Sequence, residues 1–277
     1  MTLTIITPVF NSISYIEKCI LNVIEQNCQD IIHLIIDGGS DDGTKEIIEK
    51  YSKEYNHIKW ISERDNGQSD AMNKGLKMVR SGYISFLNVD DFYENNLLNK
   101  IINIFKQNPN LDFIVGNCNV IDENGELIYI NKPRKLKVWH ILSGYFLPVN
   151  PSAYFYKIEL HDNLGEFNIN NHYNMDVEFL LNVSYNYNLV YYDELWGNFR
   201  ILPNTKTGSD QLNNNLENRK NELFKSFSSN LPTRILFLVK FVKISEKSKR
   251  IIKRIIKKCY LPIDMIYWKF KKIKSNL

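Results

Sequence analysis

Cysteine is scarce: Cys19, Cys28, Cys118 and Cys259 are the only four in 277 residues, and they form no CxxC pair and no Cys/His cluster. That spacing excludes a disulfide-built scaffold and a zinc module, and reads as reduced thiols, most of them core filler. No basic n-region followed by an apolar h-region stands at the amino terminus, so no secretory-signal pattern is visible and a cytoplasmic location is expected. The most apolar stretch of the C-terminal part, Ile235 to Ile244, is too short and too charged to span a bilayer. The chain has no internal repeat, and its lone glycosylation sequon at Asn182 is read as chance on an Asn-rich chain. What is present is a large apolar fraction, 44% with 13% aromatic, enough for a sizeable core.

Charge is divided unevenly. From Leu231 to Leu277 there are 14 Lys and Arg against 2 Asp and Glu, so the net +4 of the whole conceals an acidic body of −8 and a tail of +12. Two functional regions are implied, with an anionic surface as the partner of the second.

The first ninety residues alternate strand and helix. Strands are expected at Leu3 to Thr7, ended by Pro8, and at Ile31 to Ile36, Ile58 to Ile61 and Tyr83 to Leu87. A helix with a capping box at Ser14 to Glu17 follows the first, and helices containing Ile47, Ile48 and Tyr51, then Met72, Leu76 and Val79, follow the second and third. Short connections between such units give a parallel sheet with right-handed crossovers. Beyond Asp91 the pattern is mixed: helices near 97–105, 139–145 and 177–184, strands near 112–115, 153–156 and 189–192, and a hairpin at Asn124-Gly125. Residues 203 to 230 read as a polar connection.

Polar side chains gather at the strand ends. Asp37 to Thr44, DGGSDDGT, is a Gly-rich turn that matches neither a P-loop nor GxGxxG; Asp37 could accept hydrogen bonds from a base or a ribose, or the stretch could be a tight turn only. RDNGQSDAMNKG offers Asp65, Gly67, Asp70 and Lys74, with helix entry capped by Ser69 as the plainer reading. Asp90 and Asp91 follow the fourth strand without turn residues between, and two adjacent carboxylates repel unless a cation or a hydroxyl donor lies between them, although one could be a helix cap. A hard ion such as Mg²⁺ takes one or two carboxylates plus substrate phosphate oxygens. In a parallel sheet all these loops fall on the carboxyl edge, where ligands bind.

TPVFN (Thr7 to Asn11), DGGSDDGT, DNGQSDAMNKG (Asp65 to Gly75) and FLNVDD (Phe86 to Asp91), in this order, closely resemble family 2 glycosyltransferases with the glycosyltransferase A fold. The resemblance is dense to residue 92, thinner to about 202, and absent beyond. It implies an α/β, Rossmann-like fold with a mixed central sheet in residues 1–215; the basic helical region of 216–277 is read instead from charge and periodicity. It further implies that Thr7, Pro8, Val9 and Asn11 with Asp37 hold the nucleotide base and ribose. Asp65, Gly67, Asp70 and Lys74 would complete that pocket, Asp90 would reach ribose or sugar hydroxyls, and Asp91 would bind a divalent metal, Mg²⁺ or Mn²⁺, on the donor diphosphate. Asp176, in MDVEFLL, matches the family's general base, with helix capping as the plainer role, and Arg200 would face the diphosphate. The chain departs from the family at Asn182, often Arg, and near Leu202, often His.

The expected activity is metal-dependent, inverting transfer of a sugar from a nucleotide-sugar, UDP favoured, to a hydroxyl of a glycan or lipid-linked acceptor in cell-envelope polysaccharide assembly. A sugar-phosphate nucleotidyltransferase and a non-catalytic nucleotide-sugar-binding subunit are the alternatives. In SKRIIKRIIKKCY the aliphatic residues Ile251, Ile252, Ile255, Ile256 and Cys259 share one helical arc and the basic residues the other, with Tyr267, Trp268 and Phe270 among lysines beyond. Nucleic acid does not explain the aliphatic face; an anionic membrane surface does, giving a peripheral location on the inner face of the cell membrane, unless the segment packs back on the acidic body.

Overall fold

The computed structural model describes residues 2–171, 174–203 and 215–251, and of 215–217 the backbone only. The chain divides into two compact units, Met1–Asn230 and Leu231–Leu277.

The first unit is built on one mixed sheet. Strands β1 (Leu3–Val9), β2 (Ile31–Asp37), β3 (Ile58–Ser62) and β4 (Tyr83–Phe86) lie parallel in the order β3-β2-β1-β4. Helices α1 (Ile13–Ile24), α2 (Thr44–Glu54) and α3 (Gln68–Met78) make the crossovers. The sheet continues through β8 (Tyr154–Lys157), antiparallel to β4, then β6 (Phe113–Ile121), β9 (Leu189–Arg200) and the two-residue β5 (Phe92–Tyr93). Strand β7 (Leu127–Asn131) hangs on β6 as a hairpin whose turn places Gly125 at φ +88°, as Asn124-Gly125 foretold. Helices α4 (Leu97–Gln107), α5 (Val138–Ile141), α6 (Leu160–Leu164) and α7 (Met175–Asn186) complete the unit.

Both faces of the sheet are covered because alternate strand residues are apolar on both sides. Ile6, Ile84 and Phe86 pack with Ala71, Met72 and Leu76 of α3 and with Phe179, Leu180 and Val183 of α7. Their neighbours Leu3, Ile5 and Tyr83 pack on the opposite face with Cys19 and Val23 of α1 and Ile101 and Phe105 of α4. Trp196 of β9, fully buried, closes the second half of the sheet over Gly116, where an added Cβ would lie 2.2 Å from the indole ring. The starts of α3 and α7 therefore share one side of the β4 end, and the start of α1 lies on the other.

Several local expectations are corrected. Pro8 lies inside β1. Ile6 O accepts from Leu87 N on the β4 side, so by alternation Pro8 faces that same side, beyond the last residue of β4, and no partner strand there asks for its missing N–H. Helix α1 is capped by its neighbours and not by Ser14: Ser12 N donates to Thr44 Oγ1 (2.9 Å) and Ile13 N to Asp42 Oδ2 (3.0 Å). Helix α3 enters through Gly67, with Ser69 already inside it. Residues 203–230 are not merely a connection, since Asn215–Ser228 is helical and buries Phe224.

The second unit is described through residue 251 as one helix over 233–251. Phe237, Phe241, Ile244 and Ile251 stand exposed on it, and at about 100° per residue they fall within roughly 80° of arc. Residues 252–277, including Ile252, Ile255, Ile256, Cys259, Tyr267, Trp268 and Phe270, lie outside the described residues. Among the described residues no helix is long and apolar enough to cross a membrane.

Candidate functional site

At the carboxyl end of β1 and β2 the structure separates loop builders from accessible groups. Asp37 is fully buried, and its carboxylate accepts from Gly39 N (3.0 Å), Ser40 N (3.1 Å), Ser40 Oγ (2.5 Å) and Ser62 Oγ (2.5 Å). With its oxygens so engaged it shapes the DGGS turn; it offers no free oxygen to a base or ribose. Thr7 is also fully buried, its hydroxyl 3.0 Å from His33 Nε2, and Pro8 and Val9 are buried beside it. The strand end presents Phe10, 60% exposed, and Asn11, which grips Asp41 through both its amide (2.9 Å) and its carbonyl (3.0 Å). Phe10 was not among the residues anticipated from the sequence; a large aromatic left in solvent beside two glycine-rich turns is the signal that marks it.

The β3–α3 loop joins this rim. Asp65 lies against the open face of Gly38, where an added Cβ would meet Asp65 Oδ2 at 2.5 Å, and its Oδ1 accepts from Gly67 N at 2.8 Å. Gly67 takes φ +103°, a conformation costly for any residue with a side chain. Asp70 accepts from Asn66 N at 2.9 Å and caps the turn. Lys74 bonds to Arg64 O (2.6 Å) and pairs with Glu63 (3.2 Å), so it braces the loop from the side and is not directed at the Asp pair.

The Asp pair sits on a turn, closed by Asp91 N to Asn88 O (3.1 Å), and not on a straight strand extension. Asn at the first position of such a turn is favoured. Asp91 is 2% exposed; Oδ2 accepts from Asn88 Nδ2 and Asn150 Nδ2, both at 2.8 Å, and Oδ1 from Arg200 N at 3.0 Å. Burial, reinforced by Asp90, pushes its carboxyl up to about 8 despite these three donors. Asp90 is half-buried, its pKa also raised by burial and held back by the Arg200 charge. Asp90 thus carries the accessible carboxylate, and Asp91 is the anchored one. Asn88 and Asn150 were not singled out beforehand. Asn88 stands inside FLNVDD, whereas Asn150 comes from a segment 59 residues on and carries no local signal.

A cavity of about 590 Å³ opens here, lined by Tyr15, Lys18 and Asn22 of α1, by Asp90 and Asp91, by Glu123 to Gly125 of the hairpin, and by Arg200. That volume is typical of a small-ligand site. Arg200 donates from Nη1 to Glu123 O (3.2 Å) and lies 5.9 Å over the Phe92 ring. Cys19 also lines the cavity, but burial pushes its thiol up to about 12, which removes it as a nucleophile.

Asp176 is in the first turn of α7, whose cap position is Asn174. One of its oxygens accepts from its own neighbour, Val177 N, at 2.8 Å, and burial raises its pKa. A chain of contacts links it to the Asp pair: the adjacent Met175 touches the Ser69 hydroxyl, Gln68 Nε2 donates to Asn88 Oδ1 (2.9 Å), and Asn88 holds Asp91. The starts of α3 and α7 and the β4 turn are therefore tied together at the sheet edge. A carboxylate whose pKa burial has raised suits proton removal. Among the described residues no group of three or more His, Cys, Asp or Glu forms a metal-ligand cluster. The half-buried Asp90 with Asp91 behind it still suits an ion that completes its shell from phosphate and water.

Known proteins agree with this architecture. The model of "Glycosyl transferase family 2" matches residues 4–176. An uncharacterized glycosyltransferase of Haemophilus influenzae is 32% identical over 144 residues, 51% of this chain and 57% of that protein. The chondroitin synthase of Escherichia coli is 28% identical over 45% of this chain and 18% of its own length. Thus the chain matches little more than half of the first of these relatives and under a fifth of the second. Among solved structures, S. aureus TarS 1–349 in complex with UDP superposes with a TM-score of 0.59 at 18% identity over 83% of this chain and 74% of that one. The mannosyltransferase PcManGT from Pyrobaculum calidifontis, in complex with GDP-Man and Mn²⁺, gives 0.62 at 15% over 87% and 69%. The α/β fold with its mixed sheet is thereby shared with glycosyltransferases of known structure, and with the family model covering most of the first unit, the chain belongs to glycosyl transferase family 2.

Proposed function

We propose that the first unit is the catalytic domain of an inverting, metal-dependent glycosyltransferase that moves a sugar from a nucleotide-sugar to a hydroxyl of a glycan or lipid-linked acceptor in cell-envelope polysaccharide assembly. The observation that supports this reading is the contact path from Met175, next to Asp176, to Ser69, and from Gln68, next to Ser69, through Asn88 to Asp91, which ties the start of α7 to the turn bearing the carboxylate pair. UDP is the favoured nucleotide, supported by the UDP and UDP-GlcNAc complexes of TarS.

Each group has a task in this scheme. Phe10 supplies a stacking face for the base, and Asn11 with Asp65 borders the nucleoside. Asp37 and Gly67 hold those loops in shape. Asp90 is the carboxylate for a divalent ion, with Asp91 fixing the turn that presents it, an exchange of the roles expected from the sequence. A bound Mg²⁺ or Mn²⁺ supplies positive charge where the departing diphosphate becomes more negative. Asp176 accepts the acceptor hydroxyl's proton as its oxygen bonds to the anomeric carbon from the face opposite the diphosphate. Because burial raises the Asp176 pKa, it is a stronger base than an exposed carboxylate.

The test is a donor screen for nucleotide release across UDP-, GDP- and dTDP-sugars with and without Mg²⁺ or Mn²⁺. Metal-dependent release with one nucleotide class, lost in Asp90→Ala, is expected; equal release without cation in wild type refutes the metal assignment. Titration of UDP with cation into Asp90→Ala and Asp91→Ala decides between the two carboxylates: loss of cation enhancement in Asp91→Ala alone restores the metal to Asp91.

The exposed stripe Phe237, Phe241, Ile244 and Ile251, with Lys240 and Lys247 along one side of it and Lys243 and Arg250 beyond them, supports peripheral binding to an anionic membrane surface on the cytoplasmic side. Phe237→Glu with Phe241→Glu should abolish flotation with vesicles containing anionic lipid at low salt; undiminished flotation refutes it.

A further inference from the structure

Among the described residues of the first unit, the β6–β7 hairpin carries the most concentrated apolar surface. Leu127, Ile128, Tyr129 and Ile130 are consecutive and 55%, 53%, 48% and 44% exposed. Consecutive strand residues point to opposite faces, so β7 is bare on both faces. Among the described residues it pairs with β6 alone, which leaves its second edge open as well. Soluble proteins commonly blunt such an edge with lysine, proline or an inward charge. None of these stands within LIYIN, and the one irregularity in the β6–β7 register falls at the turn end, between the Leu127 and Tyr129 pairings.

The charges around this strand are arranged so that the strand complements itself. Glu126 precedes it and Lys132 follows it, both exposed. When two copies of β7 are laid antiparallel about a two-fold axis near Tyr129, Glu126 of each copy falls opposite Lys132 of the other, and Ile128 falls opposite Ile130. The isologous symmetry of a homodimer demands that kind of self-complementarity. Lys132 also meets Asp193 at 3.1 Å, an exposed pair that contributes little and leaves donors of the ammonium free. Same-face apolar pairs and opposite charges directly across two strands are both favourable.

We propose that β7 is a homodimer interface, pairing edge to edge with β7 of a second copy of this chain and joining the two sheets into one. The interface has a bearing on the site, because the hairpin turn at Glu123 to Gly125 lines the cavity and its Glu123 carbonyl holds the Arg200 guanidinium. Pairing at β7 steadies that turn. So short a strand pair belongs to the small, reversible class of interface, under about 1,200 Å², so the dimer is expected to form in the micromolar range.

The test is sedimentation velocity on the full chain over a concentration series from the low micromolar to the hundreds of micromolar. A concentration-dependent monomer–dimer equilibrium is expected in wild type, and Ile128→Lys with Ile130→Lys should weaken it at least tenfold while leaving the circular dichroism and melting transition unchanged, since both side chains are exposed. Glu126→Lys and Lys132→Glu should each weaken it, and the two together should restore it, because the pair is merely exchanged. A wild type that stays monomeric throughout overturns the proposal. So does a dimer indifferent to the lysine substitutions, or charge variants that fail to rescue one another. Vesicle binding lost with the lysine substitutions in a monomeric wild type would make the patch a lipid contact instead.

Discussion

Gly38→Ala adds one methyl at the point where two site loops touch. The backbone there is in an ordinary conformation, with no positive φ, so the methyl itself costs no backbone strain. Its cost comes from Asp65, whose Oδ2 would lie 2.5 Å from the new carbon, with Cγ at 3.1 Å and Oδ1 at 3.4 Å. Ordinary contact is about 3.4 Å or more, so the carboxylate has to retreat by close to an ångström. The bond from Gly67 N to Asp65 Oδ1, now 2.8 Å, would stretch past the useful range. A hydrogen bond to a charged acceptor contributes about 1.5–3 kcal/mol, and because Asp65 is only half-buried a loss near 1 kcal/mol is the reasonable figure, roughly a factor of five in an equilibrium. Denaturant midpoints should fall accordingly, and UDP affinity by calorimetry should weaken about fivefold if Asp65 borders the nucleoside. The control is the same substitution in an Asp65→Ala background, where the methyl meets no carboxylate and should cost almost nothing. Equal costs in the two backgrounds would refute the account.

Asp176→Asn should lower turnover by about 10²- to 10⁴-fold with donor affinity nearly intact; full retained activity removes Asp176 from the mechanism. Because only the ionised base accepts a proton and burial raises its pKa, the rate in wild type should climb with pH through a value above that of an ordinary aspartate, and a flat acid limb would contradict this. Gly116→Ala drives a methyl to within 2.2 Å of the buried Trp196 ring and should destabilise by about 3 kcal/mol or more, read as a lowered melting temperature; an unchanged transition would mean the indole has room to shift. Asn150→Ala removes one of the three donors on Asp91 and should cost about 1.5–3 kcal/mol where Asp91 is ionised. Since the Asp91 pKa lies near 8, the cost in denaturant melts should grow as pH rises from 6 toward 9 without divalent cation, and a cost independent of pH would show the bond to be immaterial.

How far the sequence reaches is seen by following single residues. Strand and helix alternation up to Tyr83 is written in local periodicity, and so is the hairpin at Asn124-Gly125, because these patterns depend on neighbours a few positions away. The gathering of Asp65, Asp90 and Asp91 on one edge follows as well, since parallel strands send all their carboxyl ends the same way. Side-chain direction does not follow. Asp37 and Asp90 both read as acidic residues at strand ends, yet one is enclosed by four donors and the other faces a cavity.

The amino-acid sequence by itself determined the strand and helix alternation of the first ninety residues, which edge of the sheet bears the acids, and where the charge changes sign, because each rests on composition, period or chain direction. Only the tertiary structure decided which acid is accessible: Asn150 and the Arg200 amide arrive at Asp91 from 59 and 109 positions away, and burial among them turns Asp91 inward and leaves Asp90 half-buried at the cavity. The exposure of β7 is decided in the same way, since an apolar run such as LIYI does not itself say whether the fold will cover it, and among the described residues it stays about half exposed.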